Sequence, residues 1–285
     1  MEWLVSAFAD EAGDTCDVQI AALQRAGLKH IDIRSIDGFN ITALLLDKAR
    51  EIKQKLDDAG ISVNMFGSPI GKIDISEDFE IDLAKLRHLG ELAPVLGCNA
   101  VRIFSYFNKE GASHEEWKAQ SLKRLEQLRS TGQELGLVLY HENERHIFGD
   151  LANDVEAISA LRNDSFKLIF DFDNYNQSGE NVWDNWLQLR EATDSIHLKD
   201  SKDGQHTPAG QGGGFVREIL TDAVARGWNG PVSVEPHLSH SGAVAATGPS
   251  GIANAAYGKM PAPESFHIAC TVATDLLGEL GVQVR

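Results

Sequence analysis

Four strand-like runs in the second half of the chain carry, at or near their ends, a side chain able to bind a metal ion. Glu142 closes LVLYHE, Asp171 closes KLIFD, His197 lies in SIHLKD and Glu235 in PVSVEPH. Their separations are roughly one β/α unit each, about thirty residues in a barrel of this size. Three carboxylates and one imidazole make an oxygen-rich donor set. Such a set suits one hard-to-borderline divalent ion, with manganese favoured and magnesium, cobalt or zinc as alternatives. Any one of these residues alone reads more readily as a polar cap on a strand. Four consecutive strands ending this way reverse that balance.

Strand alternation sorts the neighbours. Glu142 pointing inward takes Val138 and Tyr140 with it and turns His141 into the strand–helix layer, as a buried, hydrogen-bonded histidine. His197 inward brings Lys199 inward, and Glu235 brings His237. Arg34, at the end of HIDIRS, and Lys199 can each bind a substrate hydroxyl, carboxylate or phosphate, or be held in an ion pair by the many acidic neighbours. Glu144 and His146 lie in the loop after Glu142, where contact with substrate and simple solvation are equally open. The glycine-rich AGQGGG, Ala209–Gly214, precedes a helix, where barrels often hold phosphate. It is not a phosphate fingerprint, and a flexible turn is the preferred reading.

The elements that must position these residues alternate short β-rich runs with longer amphipathic segments. Strands are expected at Trp3–Ala9, His30–Ser35, Ser62–Ser68, Ala100–Tyr106, Leu137–Asn143, Lys167–Asp173, Ser195–Asp200 and Pro231–His237. Helices are expected at Asp14–Ala26, Thr42–Ala59, Asp78–Leu96, His114–Leu135, Leu151–Leu161 (with Asp150 as N-cap), Trp183–Ala192, Phe215–Arg226 and Ala262–Leu280. Eight strand–helix pairs predict a single closed (β/α)8 TIM barrel over residues 1–285. An open doubly wound sheet would carry a dinucleotide fingerprint after strand one, and here strand one runs into Asp10-Glu11-Ala12-Gly13-Asp14. The Gly-, Ala-, Ser- and Pro-rich stretch 239–261 is long for a barrel loop and is expected to be a lid or a contact surface for another subunit.

Composition narrows the function classes. A net charge of −16 over 285 residues, with no Lys/Arg cluster, disfavours nucleic acid and anionic membrane as partners. Three widely spaced cysteines, Cys16, Cys98 and Cys270, imply no disulfide framework and read as small buried apolar residues. The N-terminal MEWLVSAFADEAGD has no basic leader and no apolar stretch able to span a bilayer, so a cytoplasmic location is expected.

The segments HIDIRSIDGFNI, GSPIGKIDI, VRIFSYF, YHENERHIFGD, FDFDNYNQSGE, HLKDS with AGQGGG, and VEPHL resemble sugar phosphate isomerases/epimerases of the xylose isomerase-like barrel superfamily, which also includes apurinic endonucleases. The resemblance covers nearly the whole chain. It implies metal ligands at Glu142, Asp171, His197 and Glu235, with the two glutamates also serving as acid and base. Where several relatives have a histidine three residues after the strand-six aspartate, this chain has Asn174. That departure argues for one metal ion and against a multi-zinc nuclease, and Asn174 joins Arg34, Lys199 and His237 as an expected substrate contact. The expected activity is isomerisation or epimerisation of a sugar or keto-sugar, phosphorylated or not. Two alternatives stay open: a metal-dependent lyase or dehydratase, and a non-catalytic sugar-binding barrel. A homo-oligomer is compatible with either.

Overall fold

The computed structural model describes residues 1–238 and 256–285. Its centre is a closed, all-parallel barrel of eight strands: β1 (Val5–Ala7), β2 (His30–Ile33), β3 (Ser62–Phe66), β4 (Ala100–Ile103), β5 (Val138–Glu142), β6 (Phe166–Asp171), β7 (Ser195–Leu198) and β8 (Val232–Val234). Closure comes from β8 pairing with β1, Val232 opposite Val5. Parallel strands covered by helices outside and filled by side chains inside are buried on both faces, which is why they read as near-continuous apolar runs.

The surrounding helices are α1 (Cys16–Ala26), α2 (Leu46–Asp58), α3 (Glu80–Leu96), α4 (His114–Glu134), α5 (Ala152–Ser159), α6 (Phe172–Gln177), α7 (Val182–Leu189), α8 (Val216–Ala225) and α9 (Ala262–Glu279). Their ends follow local chemistry. Thr15 caps α1 by accepting from the Val18 amide, and Ser113 and Glu116 form a reciprocal capping box at α4. On α2, Ala49, Ile52 and Leu56 are the buried residues, a helical stripe facing inward. Cys16, Cys98 and Cys270 are buried free thiols. Among the described residues no helix is long and apolar enough to cross a membrane.

Several boundaries differ from the sequence reading. Strand one is split: Glu2–Trp3 pairs with Gln283–Val284 near the chain ends, only Val5–Ala7 enters the barrel, and Ala9–Glu11 coils into a 3-10 turn. Asn40 accepts from the Thr42 amide and winds Ile41–Ala43 into a 3-10 turn, delaying α2 to Leu46. Asp150 does not cap α5. Its carboxylate accepts instead from the His146 amide and the Ser178 hydroxyl. Two small antiparallel hairpins, Ser35–Ile36 with Phe39–Asn40 and Asp200–Lys202 with Gln205–Thr207, decorate the loops after β2 and β7. Both turn on Asp-Gly with positive φ, at Asp37-Gly38 and Asp203-Gly204. That dipeptide is the strongest short-range hairpin signal and was legible in the sequence. Of the long stretch 239–261, residues 239–255 lie outside the described residues.

Candidate active site

The four expected ligands converge at the barrel mouth although the register staggers them, Glu142 lying opposite Ile169, two residues before Asp171. His197 lies opposite Asp171 on β6, and Leu198 opposite Val234, so Glu235 follows directly at the mouth end of β8. Glu142 is the last residue of β5. All four are buried, and each offers a ligand atom within 4.8 Å of the others. His197 Nδ1 lies 2.9 Å from Glu142 Oε1 and 3.6 Å from Glu235 Oε2. Asp171 uses Oδ1 to accept from the Asn174 amide at 2.8 Å, which caps α6, while Oδ2 faces Lys199 Nζ at 3.1 Å.

Electrostatics in this cluster are set by mutual pairing. Burial opposes charge on His197, but Glu142 and Glu235 outweigh it and push the imidazole up to about 10. Burial likewise opposes ionisation of Glu142, yet His197 and Arg102 hold it down to about 2. Lys199, against the penalty of burial, is held protonated by Asp171 and Glu235. His141, by contrast, is turned out of the lumen as expected. Burial drops it to about 3, Nε2 sits 2.9 Å from Ser105 Oγ, and a Cβ on Gly149 would meet its ring at 2.5 Å.

The donor set fits a divalent ion. Three carboxylates and one ring nitrogen converge; Glu142 Oε2 and Asp171 Oδ2 meet only the ion pairs with Arg102 and Lys199, and His197 Nε2 is buried without a hydrogen bond. Buried polar atoms rarely stay unsatisfied, and an oxygen-rich set with one nitrogen suits manganese- or magnesium-like ions. The second convergent set, Glu11, Glu235 and His237, shares Glu235 with the first and brings two carboxylates rather than three.

The opposite wall supplies cations. Arg34, just past β2, places Nε and Nη2 each 2.9 Å from the Asp10 carboxylate and Nη1 2.8 Å from Glu235 Oε1. Asp10 and Glu11 reach it from the 3-10 turn after β1. Burial raises Glu11 to about 8, although Arg34 pulls the other way. Arg102 on β4 did not emerge from the sequence reading. Its Nη1 lies 3.2 Å from Glu142 Oε2 and 3.4 Å from Glu235 Oε1, so it bridges the two glutamates. Its guanidinium is clamped between the rings of Phe8 and Phe104, 4.9 and 5.0 Å from their centroids. The available signal was a lone arginine inside the apolar run AVRIF, since a charge buried there requires a partner.

Of the other expected contacts, Arg34, Lys199 and His237 all line one cavity of about 610 Å³, counting its solvent-open part. His237 has positive φ, donates its amide to Glu11 and stands edge-on to His206. Asn174 lies behind the site, where its side chain donates to the Asn143 carbonyl at 2.8 Å. Glu144 reaches the cavity wall and pairs with Lys72 at 2.7 Å, whereas His146 is exposed.

The glycine-rich loop is neither a flexible turn nor an open phosphate cradle. Asp200 fills it, accepting from the amides of Ser201, Gly210, Gly212 and Gly214 at 2.8–3.0 Å. A Cβ on Gly212 would lie 2.3 Å from Asp200 Oδ1, so glycine is needed for the close approach.

Fold and sequence together define the class. The chain belongs to the xylose isomerase-like TIM barrel family, whose pattern its residues 20–255 match. Solved structures of the same architecture include an IOLI protein with a bound zinc atom, at 16% identity and TM-score 0.75, covering 96% of this chain and 98% of that one. A D-psicose 3-epimerase determined in the presence of D-fructose matches at 14% identity and TM-score 0.73, covering 96% and 99%. The probable 3-DHS dehydratase AsbF from Bacillus anthracis matches at 16% identity and TM-score 0.71, also covering 96% and 99%. Among curated proteins no match is found.

Proposed function

We propose that this protein is a divalent-metal-dependent isomerase or epimerase of a sugar or keto-sugar, with Glu142 and Glu235 as its acid and base. The observation that carries the reading is the convergence of Glu142, Asp171, His197 and Glu235, of which Glu142 and Glu235 line the cavity at the barrel mouth. These four residues would hold the ion, manganese by preference. When bound, it supplies Lewis-acid polarisation of the substrate carbonyl and so acidifies the neighbouring C–H.

The rest is done by the chain itself. One glutamate removes the proton from the carbon next to the carbonyl, and the other returns a proton from the opposite side, giving epimerisation; passing it between carbons gives isomerisation. Arg102, within 3.4 Å of both carboxylates, joins His197 in keeping Glu142 ionised and presents a fixed donor to a substrate oxygen that gains negative charge. Lys199 holds Asp171 and Glu235 in place. Burial of the whole constellation keeps these interactions strong by excluding water.

Elimination is the second reading, favoured by the fold shared with a probable dehydratase. It begins with the same proton abstraction and continues with loss of a group from the next carbon. The test is NMR of α-carbon proton exchange in D2O over a panel of ketoses, keto-sugars and their phosphates, with manganese added. Exchange with retained composition supports isomerisation or epimerisation. Exchange with loss of a substituent supports elimination, and no exchange across the panel sinks both.

A further inference from the structure

Resting on that reading, we infer that the substrate is an uncharged keto-sugar or polyol ketone, carrying neither a phosphate nor a carboxylate. Sites that take phosphate esters keep cations or backbone amides free for the anion. Here the places where such groups would be sought are filled by the protein's own carboxylates.

The cations of the cavity wall come first. Arg34 faces Asp10, Glu11 and Glu235; Arg102 faces Glu142 and Glu235. Lys199 faces Asp171 and Glu235, and Lys72 at the rim faces Glu144. An incoming dianion that took Arg34 from Asp10, or Lys72 from Glu144, would leave that carboxylate buried or half-buried without its partner. The backbone amides come second. The loop before α8, the customary phosphate position of a barrel, spends the N–H groups of Gly210, Gly212 and Gly214 on Asp200. The sequence of residues 239–255 adds no Lys or Arg, and the net charge of −16 disfavours anions at long range.

What the remaining wall offers is neutral. Ser35 and Asn40, opposite each other in the hairpin after β2, and Pro69 and Phe104 line the same cavity. Hydroxyl and amide groups suit sugar hydroxyls.

The experiment compares matched pairs, fructose and ribulose against their monophosphates, on the metal-loaded full chain. Calorimetric binding and α-carbon exchange are measured in parallel. The expected result is that the parent ketoses bind more tightly, by about tenfold or more, a difference of roughly 1.4 kcal/mol. Monophosphates binding as tightly as their parents, or more tightly, would overturn the inference whether or not exchange occurs. If the parents bind preferentially but nothing exchanges, the inference stands and the enolising reading fails. If neither member of any pair binds, both fail.

Discussion

Strands β5–β8 and strands β1–β4 meet at the same mouth, but they bring opposite chemistry to it. The first group contributes Glu142, Asp171, His197 and Glu235, donors that converge within 4.8 Å. The second contributes the guanidinium groups of Arg34 and Arg102, with Asp10 and Glu11 behind Arg34. Three buried carboxylates packed this closely would repel one another, and burial alone would force some of them to hold protons. His197 and Lys199 offset this for the two glutamates, and the arginines across the barrel add to the offset. Arg102 spans the two glutamates, and Arg34 fixes Glu235 while itself anchored to Asp10. The lesson is that one half gathers the donors together with His197 and Lys199, the cations that weigh most on their ionisation, while the arginines of the other half brace the two glutamates.

The largest expected effect comes from the donor half. Glu142→Gln and Glu235→Gln should each lower the rate of α-carbon exchange by about a thousandfold, the usual scale for loss of a positioned acid or base. Rapid-quench NMR of exchange would show it, and an effect below tenfold in both would assign the acid–base role elsewhere.

Breaking the cation half should register first as stability. Arg34→Met leaves Asp10 buried without its partner and takes the nearest cation from Glu235, and removing one member of a buried pair costs about 3–5 kcal/mol. Urea unfolding monitored by circular dichroism would read this directly. Arg102→Met should lower kcat/KM by about a hundredfold, as expected when one preorganised donor is lost. Arg102→Lys should recover only part of this, because an ammonium cannot span both glutamates while stacked between Phe8 and Phe104. Full recovery by lysine would reduce Arg102 to a bulk charge.

A smaller effect separates adjacent residues on β5. His141 is buried and its folded-state value falls to about 3, against an ordinary 6.5. Between those values the unfolded chain binds a proton that the folded chain does not, so stability falls as pH drops from 6.5 toward 3. The slope from this group is up to about 1.4 kcal/mol per pH unit, and above 6.5 it contributes none. His141→Asn should remove that part of the slope, measured as the difference in urea midpoints between variant and wild type across the range.

The asymmetry between the two halves also explains what the sequence could disclose. Glu142, Asp171, His197 and Glu235 were legible because each stands at or near the end of a strand-like run, and strand order makes neighbours of them. Arg102 was not, because its meaning depends on Glu235, 133 residues away in sequence. Asp10 and Glu11 looked like an acidic turn and became the anchor of Arg34 only once β1 and β2 lay side by side. Helix α6 escaped because FDNYNQ has no apolar period; what starts it is the Asp171 cap, which also explains why Asn174 points back at the Asn143 carbonyl. The AGQGGG loop was misread because its anion, Asp200, lies outside the motif.

The central claim is that β5–β8 hold one divalent ion on four named side chains. Its most direct test is the metal content of purified protein after stripping and reloading with manganese, measured by inductively coupled plasma mass spectrometry. Asp171→Asn and His197→Gln are run beside the wild type, with circular dichroism confirming that they fold. The account predicts one ion per chain in the wild type and marked loss of that ion in both variants. A wild type that retains none, or variants that retain it fully, would contradict it.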